Sequence, residues 1–412
     1  MNFGELIVII GFVETIILFL YALRWYIFTL VTLRPNPSEN AYKFKCNPNS
    51  CFVSVLLPIY NEPNVVNRLL KACTSFNFPS YEVVVIDDSD DGVTTDKLEK
   101  WRGYSMVKII HRNSREGWKG GALNAALEEI DPRSTHVLIF DADFVPSSDL
   151  VSRFVSRFTD GRSAVQGYQK HDLNADHNWV TKGVRVWTSL YNMVELNGQQ
   201  RMGLFSPFTG CVFMVHTDLL LKLKFEGVTD EDWNLTMRLY ENGDKIFFDP
   251  NLAASGECPS TLKRFLKQQA RWAEGHTRTF RKHFIKIWKS NHLNLKEKID
   301  FVFIGASFLN VTLILLLTLA WIVIFLFPTT SLPVAIIQAN SLLFLATIPA
   351  GVFAPIVALY LEGAKKDWKK LGYGWLLNFI ASPIVAYAAL KGLVTKNGYF
   401  HRTYKTGKIT RD

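Results

Sequence analysis

The chain has 412 residues, a net charge of +9 and 48% hydrophobic residues, and its mean hydropathy is +0.09. The length exceeds one average domain, and the hydropathy is high for a soluble enzyme of this size, so membrane segments are expected. Five cysteines (Cys46, Cys51, Cys73, Cys211, Cys258) show neither a CxxC pair nor metal-ligand spacing. That excludes a cysteine-built metal site and predicts unpaired thiols in a reducing compartment.

The first predicted element is a transmembrane helix within residues 1–33. Leu6 to Leu23 is apolar except for Glu14, and Arg24, Arg34, Lys43 and Lys45 follow it. No basic segment precedes the run and no small-residue cleavage site ends it, which argues against a signal peptide. The positive charges assign its C-terminal end to the cytoplasm.

Residues 51–260 read as an α/β domain. Short β-rich runs at Phe52–Leu57, Glu82–Ile86, Val107–Ile110, Val137–Phe140 and Ala164–Tyr168 alternate with helical patterns at Pro63–Cys73, Lys119–Glu129 and Asp149–Phe158. Such alternation predicts a mainly parallel sheet with ligands at the strand C-termini.

Residues 261–300 begin with a basic amphipathic stretch, Thr261 to Lys289. It fits helices lying at a membrane interface, or a solvated helix packed on the sheet. Residues 301–361 contain no charged residue or histidine, enough for two spans with a turn near Pro328–Pro333. A basic cluster at 365–370 and a second uncharged run, 371–390, complete a membrane region over 301–394. Both flanks of that run are basic, which favours a re-entrant segment or a helix broken at Ser382-Pro383 over a third full crossing. Residues 395–412 form a basic tail, placed in the cytoplasm. The membrane accounts for the positive charge, so no nucleic-acid partner is expected.

Carboxylates mark the strand ends. Asp87-Asp88-Ser89-Asp90-Asp91 follows the second β run and needs a cationic or hydrogen-bond-donating partner. It reads as a nucleoside-binding edge or as an Asp-rich turn capping the next helix. Asp141-Ala142-Asp143 follows the fourth run, where two carboxylates suit a hard divalent cation, Mg²⁺ or Mn²⁺, that neutralises a diphosphate leaving group. Lys119 sits among Gly117, Gly120 and Gly121, a setting for phosphate or for the Asp cluster. Thr229-Asp230-Glu231-Asp232 opens a helix, either as a cap or as the site of a general base. Gln268-Gln269-Ala270-Arg271-Trp272 offers a guanidinium for diphosphate and an indole face for a sugar ring.

Together, Asp87-Asp88, Asp141-x-Asp143, Glu231-Asp232 and Gln268-x-x-Arg271-Trp272 resemble the D, DxD, (T)ED and QxxRW motifs of family 2 inverting glycosyltransferases. The likeness is to the branch of cellulose, hyaluronan and glucomannan synthases, and it covers about Phe52 to Gly275. The resemblance implies a GT-A type nucleotide-diphospho-sugar transferase domain, Rossmann-like with a mainly parallel sheet, flanked by transmembrane helices. It implies donor contacts from Asp87, Asp88, Lys119, Asp141, Asp143, Gln268, Arg271 and Trp272, with metal at Asp143 and Asp141. Asp232 would be the catalytic base, and Asp230 is its rival because one residue is inserted after Thr229. Thr209, Gly210, Cys211, Glu231 and Trp272 would meet the acceptor. Phe400 to Lys405 is similar to the family's FxVTxK gating loop, with Arg402 in place of Val. The expected protein is a multi-pass cell-membrane enzyme with a cytoplasmic catalytic domain. It would use a UDP-sugar or GDP-sugar, UDP being commoner in the family, and extend a β-linked polysaccharide processively. Transfer of one sugar to a lipid acceptor, as by ceramide glucosyltransferase-like enzymes, is the alternative, and a non-catalytic membrane scaffold is the alternative of another class.

Overall fold

The computed structural model describes residues 3–35, 51–158, 162–326, 334–396, 398 and 403–410. After a long first helix, α1 (Phe3–Leu33), strands and helices alternate: β1 (Val53–Ile59), α2 (Val66–Cys73), β2 (Tyr81–Asp87), α3 (Val93–Glu99), β3 (Val107–His111), α4 (Trp118–Glu128), β4 (His136–Ile139), α5 (Leu150–Val155) and β5 (Ala164–His171). Next, α6 (Trp179–Ser189) continues through a π-helical segment, Leu190–Leu196, into α7 (Asn197–Met202). The domain closes with β6 (Phe213–His216), α8 (Thr217–Leu223), α9 (Glu231–Asn242) and β7 (Ile246–Gly256).

The seven strands form one sheet in the order β3-β2-β1-β4-β6-β5-β7. Pairing is parallel from β3 through β4 and between β5 and β7, whereas β6 runs antiparallel to β4 and β5. The sheet is therefore mainly parallel, as expected. Its core follows the two-residue period of a strand. Val53, Val55 and Leu57 of β1 join Val83 and Val85 of β2 in one apolar cluster with α2 and α5. Leu56, Val84 and Ile86 point to the other face, against α4 and α9. Both faces are covered, which is why these strands read as near-continuous apolar runs. The first four strands match the expected runs to within a few residues. Strands β6 and β7 were not anticipated: β6 has four residues, and Asp249-Pro250-Asn251 interrupts the apolar pattern of β7.

The amphipathic stretch is one helix, α10 (Leu262–Lys289), N-capped by Thr261. Its Phe280 and Ile287 belong to the sheet core, and its Phe265 and Ala273 pack against α14 (Leu371–Val394). Between them in sequence lie α11 (Leu295–Gly305), α12 (Ser307–Leu326) and α13 (Val334–Leu361). Three helices are long and apolar enough to cross a membrane, Ile9–Leu33, Gln338–Leu361 and Lys365–Val394. A fourth candidate is the bent pair Leu295–Gly305 and Ser307–Ala320, with 57° between its halves. The expected turn at Pro328–Pro333 lies outside the described residues.

Two expectations are corrected here. First, α14 is unbroken through Pro383. Proline cannot donate to the carbonyl four residues back, that of Phe379. The Ser382 hydroxyl donates to that same oxygen at 2.7 Å and fills the gap. Second, Cys51 is disulfide-bonded, while Cys73, Cys211 and Cys258 are free and buried. A search for CxxC spacing does not detect such a bond, because pairing depends on where the chain brings two thiols rather than on one motif. Cys46 lies outside the described residues.

Candidate active site

Strands β1 and β4 are neighbours at the point where the strand order reverses, the usual place for a ligand crevice in such sheets. Asp141-Ala142-Asp143 leaves the C-terminal end of β4 there. Opposite it, Gly117 adopts φ +72° and caps α4, a left-handed turn that glycine tolerates. The turn delivers Lys119 into the crevice. Its Nζ lies 2.7 Å from Asp141 Oδ1 and 3.1 Å from Glu231 Oε1, and it donates to the Gly210 carbonyl at 2.7 Å. One ammonium thus joins three of the expected motifs. Burial works against its charge, but Asp141 and Glu231 hold it well above the usual lysine range.

Asp143 is buried, and its Oδ2 accepts from the Nζ of Lys405. Lys405 reaches it from a C-terminal strap, residues 403–410, that crosses the catalytic domain. Phe400, His401 and Arg402 of the proposed gating loop lie outside the described residues. Asn64 donates to the Tyr404 hydroxyl at 2.8 Å and to the Lys405 carbonyl at 3.1 Å, and Arg264 covers the Tyr404 ring at 4.4 Å.

The third motif sits at the N-terminus of α9, where acids suit the helix dipole. Burial, then the negative charge of Glu231, pushes the Asp232 carboxyl up to about 7 against the pull of Lys119. Asp230 is also raised, to about 6, mainly by burial. The two face different partners. Asp230 accepts from the Thr279 hydroxyl and lies against Gly275 of α10. Asp232 lies toward Gly210: a Cβ added there would stand 3.7 Å from Asp232 Oδ2.

Thr209, Gly210 and Cys211 form a strained turn before β6, with φ +103° at Gly210 and +55° at the β-branched Val212. Two glutamines of β5, unremarked in the sequence, hold it. Gln166 accepts from Thr209 N at 3.0 Å and donates to the Cys211 carbonyl at 3.0 Å; Gln169 donates to the same carbonyl at 3.1 Å. Burial and the nearby Asp141 push the Cys211 thiol up, so it is a neutral packing group at physiological pH.

On α10, Gln268 is buried, and Arg271 donates to the Thr229 carbonyl at 3.4 Å. Burial pulls the Arg271 guanidinium down, against the field of Glu231, Asp232 and Asp141. Trp272 remains exposed.

The Asp87–Asp91 cluster divides its labour. Asp87 is fully buried, accepting from Ser89 N at 3.0 Å and Thr95 Oγ1 at 2.7 Å, with His111 Nδ1 at 3.1 Å. It ties β2 to α3 and β3. Asp88 takes both arms of Arg112 at 2.6 Å, and Arg112 also donates to the carbonyls of Glu116 and Trp118. That pair supplies the cation the cluster requires and shapes the turn carrying Lys119. Asp91 caps α3 through Thr94 N at 2.9 Å.

Among the described residues, no group of three or more His, Cys, Asp or Glu side chains is placed to hold a metal alone. The crevice offers the two carboxylates of Asp141 and Asp143. That donor set fits Mg²⁺ or Mn²⁺, which complete their shells with water and substrate phosphate oxygens.

This arrangement defines an α/β domain of the nucleotide-diphospho-sugar transferase type. Residues 48–275 match the model of the glycosyltransferase-like family 2, and the chain belongs to that family, in its cellulose-synthase-like branch. It is 28% identical over 330 residues to glucomannan 4-beta-mannosyltransferase 9 of Arabidopsis thaliana, covering 76% of this chain and 60% of that protein. It is 29% identical over 269 residues to probable glucomannan 4-beta-mannosyltransferase 11 of Oryza sativa subsp. japonica, covering 61% and 47%. The chain thus spans about half the length of such curated relatives. The solved structure of mannosyltransferase PcManGT from Pyrobaculum calidifontis, in complex with GDP-Man and Mn²⁺, superimposes with a TM-score of 0.58 at 19% identity. It covers 91% of this chain and 97% of its own, and shows the shared fold.

Proposed function

We propose that the protein is a membrane-bound inverting glycosyltransferase that moves a sugar from a nucleoside diphosphate to an acceptor hydroxyl and extends a β-linked polysaccharide. One observation carries this reading: the Lys119 ammonium spans Asp141 of the donor motif and Glu231 of the base motif. Donor and base are thereby held within one side chain's reach, as direct displacement requires.

In this reading Asp232 takes the proton of the acceptor hydroxyl, and its raised carboxyl suits a base working near neutral pH. Thr209, Gly210, Cys211, Glu231 and Trp272 border the acceptor. Asp88, braced by Arg112, stands at the nucleoside edge and Asp87 ties the strand end behind it, with Gln268, Arg271 and Trp272 on the diphosphate side. Asp143, with Asp141 beside it, would hold Mg²⁺ or Mn²⁺, which supplies charge neutralisation for the diphosphate leaving group. Lys405 then turns from Asp143 to the diphosphate.

The relatives' names make mannosyl transfer the first reaction to test, ahead of the UDP-sugars favoured by motif resemblance. Membrane placement is supported by the apolar helices and by Ile285, Trp288, Leu295 and Ile299, which are exposed beside Lys286, Lys289 and Lys296.

The test is a screen of purified full-length protein in detergent against labelled GDP-mannose and UDP-sugars, with Mg²⁺ or Mn²⁺. A polymer with the anomeric centre inverted supports the proposal. A single sugar on lipid would replace the polymer reading, and no turnover with any donor would sink the enzyme reading.

A further inference from the structure

We propose that Glu257 is a positioning residue for the transfer reaction, clasping the C-terminal strap so that Lys405 is held over the donor pocket. The inference rests on the reading of Lys405 given under Proposed function.

Glu257 follows β7 and its side chain is 1% exposed. Oε1 accepts from Arg68 Nη2 at 2.8 Å and from the Gly407 amide at 3.0 Å. Oε2 accepts from the Thr406 amide at 3.0 Å and the Thr406 hydroxyl at 3.3 Å. A carboxylate has about four acceptor positions, and here all are used, three of them by the strap. Arg68 also donates to the Asp143 carbonyl at 3.4 Å and the Gly407 carbonyl at 3.5 Å. The pair of buried Glu257 and half-buried Arg68 therefore grips the strap and the metal-motif loop together.

The register is tight. The clasped amides belong to the two residues after Lys405, so a slip of one residue moves the lysine by about 3.3 Å, beyond ion-pair reach of Asp143. Gly407 has φ +73°, and a Cβ there would come within 2.7 Å of the Asn64 carbonyl. Further along, Thr410 N donates to the Leu173 carbonyl at 2.6 Å, and Thr410 Oγ1 accepts from Asp176 N at 3.2 Å. The strap stays docked through Glu257 while Lys405 exchanges Asp143 for an incoming diphosphate.

The test uses the full chain in detergent, Mn²⁺, and GDP-mannose or whichever sugar nucleotide the donor screen finds active. E257Q keeps the shape but turns an amide toward the strap's N–H groups. It is expected to raise the donor KM by about tenfold or more. Trypsin should cut faster after Lys405 and Lys408 in the variant. G407A attacks the clasp from the strap side, leaving the core untouched, and should give the same two changes. In a K405A background, E257Q should cost nothing further. Wild-type KM and wild-type protection in both E257Q and G407A would overturn the inference, as would an undiminished loss from E257Q in the K405A background, the mark of a merely structural role. An unchanged donor KM in K405A alone would sink the reading of Lys405 and this inference with it.

Discussion

Lys405 places its ammonium on Oδ2 of Asp143 from 262 residues further along the chain. A fixed positive charge thus occupies the carboxylate that a divalent cation would use. Replacing Lys405 with alanine removes this competitor. K405A is expected to bind Mn²⁺ about tenfold more tightly in the absence of donor, a change equivalent to about 1.4 kcal/mol, while its turnover falls. Mn²⁺ titration by electron paramagnetic resonance reads the first effect. Equal affinities in K405A and the parent chain would show that the lysine does not guard the site.

The raised carboxyl of Asp232 sets a pH profile. In its proposed role as base it works when ionised, so kcat/KM should climb as pH rises through about 7 and level off above it. Stability runs the other way. The folded-state value lies above the unfolded one near 3.8, so the fold binds the extra proton between them and loses stability as pH rises from about 4 to about 7. D232N should therefore abolish turnover yet melt at a higher temperature than the parent chain at pH 8, by free energies on the order of a few kcal/mol. A D232N protein with residual turnover above one per cent of the parent would exclude Asp232 as the base.

Lys119 is held by Asp141, Glu231 and the Gly210 carbonyl. K119M takes away the ammonium within ion-pair distance of both carboxylates and leaves them the field of the Arg271 guanidinium. A loss of kcat of roughly 10²–10³ is expected from removing such a preorganised charge. K119R should rescue little, since a planar fork does not fit three oxygens arranged around a point charge. Steady-state kinetics on both variants decide the matter, and near-parental kcat in K119R would contradict it.

Arg185, almost fully buried in α6, meets Glu362 at 2.6 Å and Asp367 at 3.4 Å, and the Tyr168 hydroxyl donates to Glu362 at 2.8 Å. This network joins the sheet to the end of α13 and the segment leading into α14. R185M removes the closest cation from Glu362 and leaves Asp367 with Lys370 at 2.9 Å, and breaking such a buried pair typically costs about 3–5 kcal/mol. Thermal melting in detergent should drop sharply, whereas R153M, at an exposed surface pair, should shift it little.

The legible parts of this molecule are those written in short-range patterns. The apolar runs of β1 to β4 and the acids that follow β2 and β4 sit next to one another in sequence, so strand and site could be read together. What escaped depends on distant partners. The four residues of β6 carry no period of their own and become a strand because β4 and β5 offer open edges on either side. Gln166 and Gln169 look like ordinary polar residues until the turn at Thr209–Val212 folds over them. Pro383 suggests a break, because the sequence alone does not show that the Ser382 hydroxyl turns back to serve the freed carbonyl. Asp87 and Asp88 looked equivalent, yet one is spent on internal ties and the other on Arg112.

The unbroken course of α14 has a mechanical meaning. A helix interrupted midway absorbs a push along its axis, and a continuous one passes it on. At its far end Lys391 pairs with Glu274 at 2.8 Å, and Arg281 donates to the Thr395 carbonyl at 3.0 Å, so α14 is coupled to the helix that carries Gln268 and Arg271. The strap that delivers Lys405 follows from the same end. With α14 placed across a bilayer, thinner or thicker lipid would act as a load on a helix tied at that end to α10, and in the proposed reading the rate of sugar transfer would vary with acyl-chain length.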